Sequence, residues 1–174
     1  STVANTKFAD IPAHAWYSGY VKYLSNNGIT YGKSKTVFAP NDAITRAEFT
    51  TMAVRFFDVY GSGDAEIMEQ FSGFNDVSSG YWAAEYIKYA ALHGWINGYG
   101  DGSFHAEREI NRAEVVTIVN RLLGREADED YIADNLRKLN TFPDVSRKHW
   151  AYYTVMEAAN THTAVLGENE SWSK

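Results

Sequence analysis

The sequence predicts a mainly α-helical fold of pseudo-repeated helix-loop-helix units, two complete and a third truncated. Three observations predict it. The stretch Ile44-Thr45-Arg46-Ala47-Glu48-Phe49 returns 66 residues later as Ile110-Asn111-Arg112-Ala113-Glu114-Val115. A second element, Phe-x-Asp-[Ile/Val]-x4-Trp, occurs three times, as Phe8, Asp10 and Trp16, as Phe74, Asp76 and Trp82, and as Phe142, Asp144 and Trp150. Within the units, apolar residues recur at helical spacing, and β-branched runs suited to strands are few. Trp16 precedes Arg46 by 30 residues and Trp82 precedes Arg112 by the same 30, so the first two units align without a gap. Repetition is the organising fact of the chain.

Taken in order, residues 1–7 form a polar leader, and the first helix begins near Pro12. Its inward face reads Trp16, Tyr20, Val21 and Leu24, and Gly28 suits the left-handed position that closes a helix. After a loop from Ile29 to Asn41, the second helix carries Phe49, Met52, Ala53, Phe56 and Phe57 on one buried face. Gly61-Ser62-Gly63 breaks it, and a short acidic helix, Asp64 to Gln70, bridges to the second unit. There Trp82, Tyr86, Ile87 and Ala90 repeat the first helix and Gly94 stands in register with Gly28. The loop Asn97-Gly98-Tyr99-Gly100-Asp101-Gly102-Ser103-Phe104 is turn-forming, with Phe104 aligned to Phe38 as an apolar plug. A helix from Asn111 to Gly124 follows, then a charged segment, Arg125 to Leu139, expected as an exposed connecting helix. The third unit starts at Phe142 and carries Trp150, Tyr153, Val155 and Ala158 on its helix. His162 takes the place of the closing glycine, and no third Arg-Ala-Glu follows. The organisation expected is one domain over 1–174: repeat 1 about 8–60, repeat 2 about 74–124, a connecting helix about 126–139 and a partial repeat 3 about 142–174.

The start of each second helix has its own chemistry. Thr45 with Glu48, and Asn111 with Glu114, read as capping boxes, in which the first side chain accepts a backbone N–H and the glutamate reaches back. Arginine just inside such a cap is unfavourably placed against the positive end of the helix dipole. Two readings fit. An outside carboxylate or phosphate docks there, or Arg46 and Arg112 bridge to Asp10, Asp76 or Asp144. The three aspartates can cap or accept backbone N–H groups, and can also bond a ligand hydroxyl. The three tryptophans read mainly as core anchors, with an indole edge left to line a groove.

Composition narrows the function classes. At 45% apolar the chain is globular, and its 12 tyrosines and five tryptophans suit a carbohydrate surface as well as a core. A net charge of −6 without a basic cluster argues against nucleic acid. No run approaches the length of a membrane span, so membrane insertion is not expected. With no cysteine there are neither disulfides nor thiolate metal sites. No signal peptide is visible, and Ser1 reads as the start of a trimmed or mature piece.

Together, the Phe-x-Asp-[Ile/Val]-x4-Trp element, the loop Gly98 to Phe104 and Thr45-Arg46-Ala47-Glu48 resemble S-layer homology (SLH) domains from Phe8 to about His162. The resemblance implies three helical repeats around a pseudo-threefold axis, secreted to the bacterial cell surface. It implies non-covalent anchoring to a secondary cell-wall polysaccharide, an acidic and in some members pyruvylated glycan, held in grooves between adjacent repeats. Carried over, the ligand-binding residues are Arg46 and Arg112, Asp10, Asp76 and Asp144, and Trp16, Trp82 and Trp150, with Gly32, Gly98 and Gly102 beside them. The first loop, Gly32-Lys33-Ser34-Lys35-Thr36, lacks the Asp-Gly of the second, so the two grooves should have different floors. With no third arginine motif, His162, Glu168 and Trp172 are the residues left to fill the third site.

Other chemistries fare poorly. A calcium loop starting at Asn97 would put Tyr99 at its third position and Arg108 at its twelfth, where a bidentate glutamate is required. No metal or cofactor is expected. The five histidines lack metal-ligand spacing, and His14 and His149 follow repeat position. No catalytic residue is assigned and the chain is read as not an enzyme. The rival reading is a helical scaffold that binds surface-protein partners, which would expose apolar patches and bind without dependence on an anion.

Overall fold

The computed structural model describes residues 7–60, 71–165 and 171–173. They form a mainly helical fold of six α-helices: α1 Ser18–Asn26, α2 Arg46–Tyr60, α3 Ala84–Leu92, α4 Arg112–Leu122, α5 Glu129–Asn135 and α6 Tyr152–Ala159. A 3-10 turn, Leu136–Lys138, follows α5. Two three-residue strands, β1 Thr163–Val165 and β2 Ser171–Ser173, pair antiparallel with Ala164 opposite Trp172. The sequence reading anticipated no strands; three-residue segments carry too little alternation to register as such. The acidic helix expected over 64–70 lies outside the described residues.

The repeat is visible in the backbone bonds. Ahead of α1, the N–H groups of Ile11, Ala15, Ser18 and Val21 donate to Phe8, Pro12, Ala15 and Tyr17. Val77, Tyr81, Ala84 and Ile87 do the same to Phe74, Ser78, Tyr81 and Ala83. Val145, His149, Tyr152 and Val155 repeat it onto Phe142, Ser146, His149 and Ala151. Each first helix is therefore entered through the same stack of turns. Gly28 and Gly94 close α1 and α3 at φ of +73° and +69°, a region from which a side chain would be sterically disfavoured. Both capping boxes form. Glu48 N–H donates to Thr45 Oγ1 at 3.1 Å and Thr45 N–H to Glu48 Oε2 at 2.9 Å, and Asn111 and Glu114 exchange the same bonds.

The main core joins α2, α3 and α4 through Ala53, Val54, Ile87, Ala90, Phe104 and Ile118. α2 buries Ala47, Thr50, Thr51 and Val54 at i, i+3, i+4, i+7 spacing; Phe49 and Phe57 pack at the core's edge. A second cluster gathers Ile132, Tyr152, Met156 and Trp172, and a third Phe8, Ile11 and Val21. The segment expected as an exposed connector thus anchors itself: Ile132 is buried and Asp128 caps α5 through the Tyr131 N–H at 2.8 Å.

The tryptophans depart from expectation. Trp16, Trp82 and Trp150 are 83%, 55% and 64% exposed and none anchors the core. Tyr20, read as inward-facing with Trp16, is 67% exposed. Each tryptophan sits two residues ahead of its helix, on the turn stack, where a helical wheel does not apply.

Candidate functional site

The aspartates of the threefold motif are placed by what their own loops offer. Asp10 accepts the N–H groups of Phe38 and Ala39 at 2.9 and 2.7 Å, and Asp76 those of Phe104 and His105, both at 2.7 Å. Ala39 and His105 lie in the left-handed region at φ of 59° and 55°, which points two successive N–H groups at one carboxylate. Phe38 packs on Phe8 and Phe104 on Phe74, with ring centres 5.3 and 5.1 Å apart. The N–H groups of Phe38 and Ala39 hold the Asp10 carboxyl below its ordinary pKa. At Asp76 burial works in the opposite direction, but the N–H groups of Phe104 and His105 outweigh it, and its pKa too is lowered. These aspartates clasp the loop to the first helix's approach.

The loop glycines are explained by the same packing. A Cβ on Gly32 would lie 2.5 Å from Phe8 Cε1, and one on Gly98 would lie 2.4 Å from Phe74 Cε1. Gly102 accepts the Asn75 N–H at 3.0 Å.

Arg46 does not stay in its own repeat. It is 6% exposed and crosses to the second unit. Its Nε donates to Phe104 O at 2.9 Å, Nη1 to Glu114 Oε1 at 2.8 Å and Nη2 to Asn97 O at 3.2 Å, while its plane lies over the Phe104 and Tyr99 rings. The Arg46 and Ala47 N–H groups at the start of α2 donate to Arg108 O and Ala106 O, so that helix mouth is filled by the neighbouring loop and not open to a ligand. Glu114 also receives Arg108, Tyr99 and the Asn111 N–H. Burial would raise the Glu114 pKa; the Asn111 N–H, Arg46 and Arg108 outweigh it and hold the carboxyl ionised below its ordinary value. The arginine is satisfied by the chain, yet its edge borders an open cleft.

That cleft is one of two built to the same plan. The first, about 380 Å3, is lined by Tyr31, Gly32, Lys33, Glu48, Arg55 and, from the next unit, Trp82. The second, about 470 Å3, is lined by Asn97, Gly98, Tyr99, Arg108, Glu114, Arg121 and Trp150, with Arg46 reaching in from behind. Each groove takes its floor and helix from one unit and its indole wall from the unit after it. Their charges differ. The second sets Arg46, Arg108 and Arg121 against Glu114, a net of two positive charges; the first sets Lys33 and Arg55 against Asp42 and Glu48, a net of zero. Lys33 bonds Glu48 at 2.7 Å, and Arg55 rests on the Tyr31 and Tyr86 rings. Among the described residues Arg121 has no bonded partner, so its charge faces the second groove unneutralised.

The other motif residues are not brought to these grooves. Asp10, Asp76 and Gly102 line neither. Arg112 is exposed and, with Asp144, lines a third cavity without forming an ion pair to it. Trp16 lines neither groove and stands beside Tyr17 and Tyr20. His162 and Trp172 stack on each other at 3.9 Å, with His162 Nε2 3.3 Å from the buried Glu157 and Arg125 2.8 Å from that glutamate; Glu168 lies outside the described residues.

Arg55 and Arg121 escaped the sequence reading, although they stand 66 residues apart at matched positions of α2 and α4, and that register was the available signal. Arg108 stands where the first unit has Asp42, so repetition could not have marked it.

Comparison with known proteins places the repeats in a family. Residues 7–50 and 73–116 match the S-layer homology domain, two tandem copies that together make up about half of the chain. The chain is 31% identical over 171 residues to cell surface glycoprotein 1 of Acetivibrio thermocellus, covering 94% of this chain and 7% of that protein. It is 29% identical over 164 residues to the cellulosome-anchoring protein of the same organism, covering 93% of this chain and 34% of that one. It is 30% identical over 122 residues to the surface-layer 125 kDa protein of Lysinibacillus sphaericus, covering 68% and 10%. The chain therefore spans about a third or less of the length of these relatives. Two family copies in tandem, each with its capping box, clasped loop and exposed indole, place the chain in the S-layer homology domain family.

Proposed function

We propose that this chain is a non-enzymatic anchoring module that holds its parent protein at the bacterial cell surface by binding an acidic secondary cell-wall glycan. The observation that carries the reading is the second groove. Arg46, Arg108 and Arg121 outnumber the single carboxylate there, and the exposed indole of Trp150 forms the opposite wall. A carboxylate on the glycan, such as a pyruvyl ketal, would be met by Arg121 and the free edge of Arg108. The Trp150 face would pack the apolar side of the sugar ring. Arg46 acts as a positioning residue that fixes the Asn97 and Phe104 backbone and adds its charge from beneath. The first groove, neutral overall and walled by Trp82, is the weaker site for an acid.

The experiment is calorimetric titration of purified wall polysaccharide, native and depyruvylated, into the full chain. Arg121→Ala and Trp150→Ala are expected to weaken binding of the native polymer by roughly tenfold or more each, whereas Arg55→Ala weakens it less. Binding should also fall with added salt. Equal affinity of wild type and Arg121→Ala would refute the clamp. A pull-down with sacculi before and after removal of the secondary polymer checks the partner class; retention after removal would point to peptidoglycan or protein.

A further inference from the structure

The two indoles that wall the grooves are each backed by the ring that precedes them in the chain, and the two rings differ in kind. Behind Trp82 stands Tyr81, its centre 5.7 Å from the indole. Glu107 accepts the Tyr81 hydroxyl, and burial with that glutamate pushes the phenol up to about 12. Behind Trp150 stands His149, 5.8 Å away and within 29° of parallel, a stacked pair. Among the described residues no other ring meets Trp150. The half-buried imidazole is itself tethered. Its Nδ1 accepts the N–H of Ala151, a fully buried residue that caps the start of α6, at 3.2 Å. Accepting that bond requires a bare Nδ1, so the proton of the neutral ring sits on Nε2.

We propose that His149 is a positioning residue of the second groove: its tethered, neutral imidazole holds the Trp150 indole as the groove wall, and protonation releases that wall. The consequence for binding, a weaker hold on the ligand in mild acid, rests on the glycan reading of the groove; the hold on the indole does not. An imidazole takes up its second proton at about pH 6.5. A protonated Nδ1 carries a hydrogen of its own, so it faces the Ala151 N–H donor to donor, and the ring turns away. The surroundings offer the imidazolium little in return. Asp144 and Arg112 line the same cavity as His149, and among the described residues neither forms an ion pair with it. α6 contributes only Val155, Ala158 and Ala159 there, and the exposed Arg147 and Lys148 precede His149 in the chain. The wall of the first groove has no such release, because Tyr81 stays a neutral phenol throughout this range. Proton uptake by His105, which packs on Tyr99 of the second groove, would add a cation near an anionic ligand and so has the opposite sign.

The test follows the full chain at the two ends of the imidazole range, about pH 8 and about pH 5, by two readouts. The first needs no glycan: heteronuclear relaxation of the Trp150 indole N–H, assigned by its loss in Trp150→Phe. In wild type the indole is expected to be ordered at the high pH and to gain fast motion at the low one. His149→Phe, which keeps a ring but takes no proton, should show no change between the two, and His149→Ala should be mobile at both. An indole equally ordered at both pH values in wild type, or unaffected by His149→Ala, overturns the proposal. The second readout is calorimetric titration of purified native wall polysaccharide. Wild type should bind roughly threefold or more weakly at the low pH, and His149→Phe equally at the two. At the high pH, His149→Ala should bind roughly threefold or more weakly than wild type. An acid loss as large in His149→Phe as in wild type overturns the proposal, since it would then arise elsewhere. An indole that loosens in acid on a chain that binds no polysaccharide would sink the glycan reading and uphold the hold of His149 on Trp150. Circular dichroism checks that each variant is folded.

Discussion

Arg46 and Arg112 occupy the same position of the same motif, and the structure assigns them opposite energetic weights. Replacing Arg46 by alanine removes three donors, leaving Phe104 O and Asn97 O without that partner and taking one of three donors from Glu114 Oε1. The side chains of Arg46 and Glu114 are only 7% and 12% exposed. Removing one member of a buried ion pair costs about 3–5 kcal/mol. Glu114 keeps Arg108, Tyr99 and the Asn111 N–H, which places the charge contribution at the low end, about 3 kcal/mol. Asn97 is exposed and its carbonyl can turn to water; Phe104 is fully buried, and its orphaned carbonyl adds about 1 kcal/mol. A total near 4 kcal/mol lowers the melting temperature by roughly 10 °C for a chain of this size. Arg112→Ala, which breaks no side-chain bond among the described residues, stays within about 0.5 kcal/mol of wild type. Urea unfolding followed by far-UV circular dichroism measures both variants. Equal losses, or an Arg46→Ala loss under about 1 kcal/mol, would refute the assignment of Arg46 as the bolt between units.

Gly98→Ala should cost about 2–3 kcal/mol by the same assay, because its Cβ would sit 2.4 Å from Phe74 Cε1 and 2.6 Å from Ser103 O, whereas Gly100→Ala meets nothing within 4 Å and should be near neutral. The pKa values of Asp76 and Glu114 are lowered on folding, so their stabilisation is complete above the ordinary values of 3.8 and 4.5 and is lost as pH falls through the folded values. Chemical unfolding measured from neutral pH downward should lose stability more steeply below pH 3.8 in wild type than in Asp76→Asn. Burial, reinforced by Glu107, pushes the Tyr81 phenol up to about 12; the last tyrosinate to appear in an ultraviolet titration should therefore vanish in Tyr81→Phe. Asp76 and Arg46 grip the N–H and the carbonyl of one residue, Phe104, so Asp76→Ala and Arg46→Ala should couple by about 0.5 kcal/mol or more in a double-mutant cycle, while Asp128→Ala and Arg46→Ala add within about 0.5 kcal/mol.

What the sequence made legible was local. The two capping boxes are bonds between residues three apart, and the closing glycines need only the conformation of their own backbone. The Phe38 and Phe104 plugs were legible because repetition put an apolar residue in each loop. The tryptophans were misread for a geometrical reason: helical periodicity was extended two residues beyond the helix, onto turns that aim each indole outward. Arg46 was found, but its destination was not. Its nearest bonded partner in sequence is 51 residues away, and no pattern within the motif encodes that crossing. The charged surroundings of Ile132 made its helix read as exposed, although one apolar side chain per turn suffices to seat a short helix.

The crossing of Arg46 changes what a repeat means in this chain. A unit whose contacts were all internal could be cut anywhere between repeats at little cost. Here the floor of one groove is fixed by a guanidinium from the unit before it, and its wall is an indole from the unit after it. The second groove receives both contributions. The first receives only Trp82, and its acid–base pair Lys33–Glu48 neutralises the charge that an incoming arginine would have supplemented. Loop composition and the Arg46 crossing thus make the two grooves chemically unequal. On the proposed function, an acidic glycan should therefore select the second groove, to which residues of three successive units contribute.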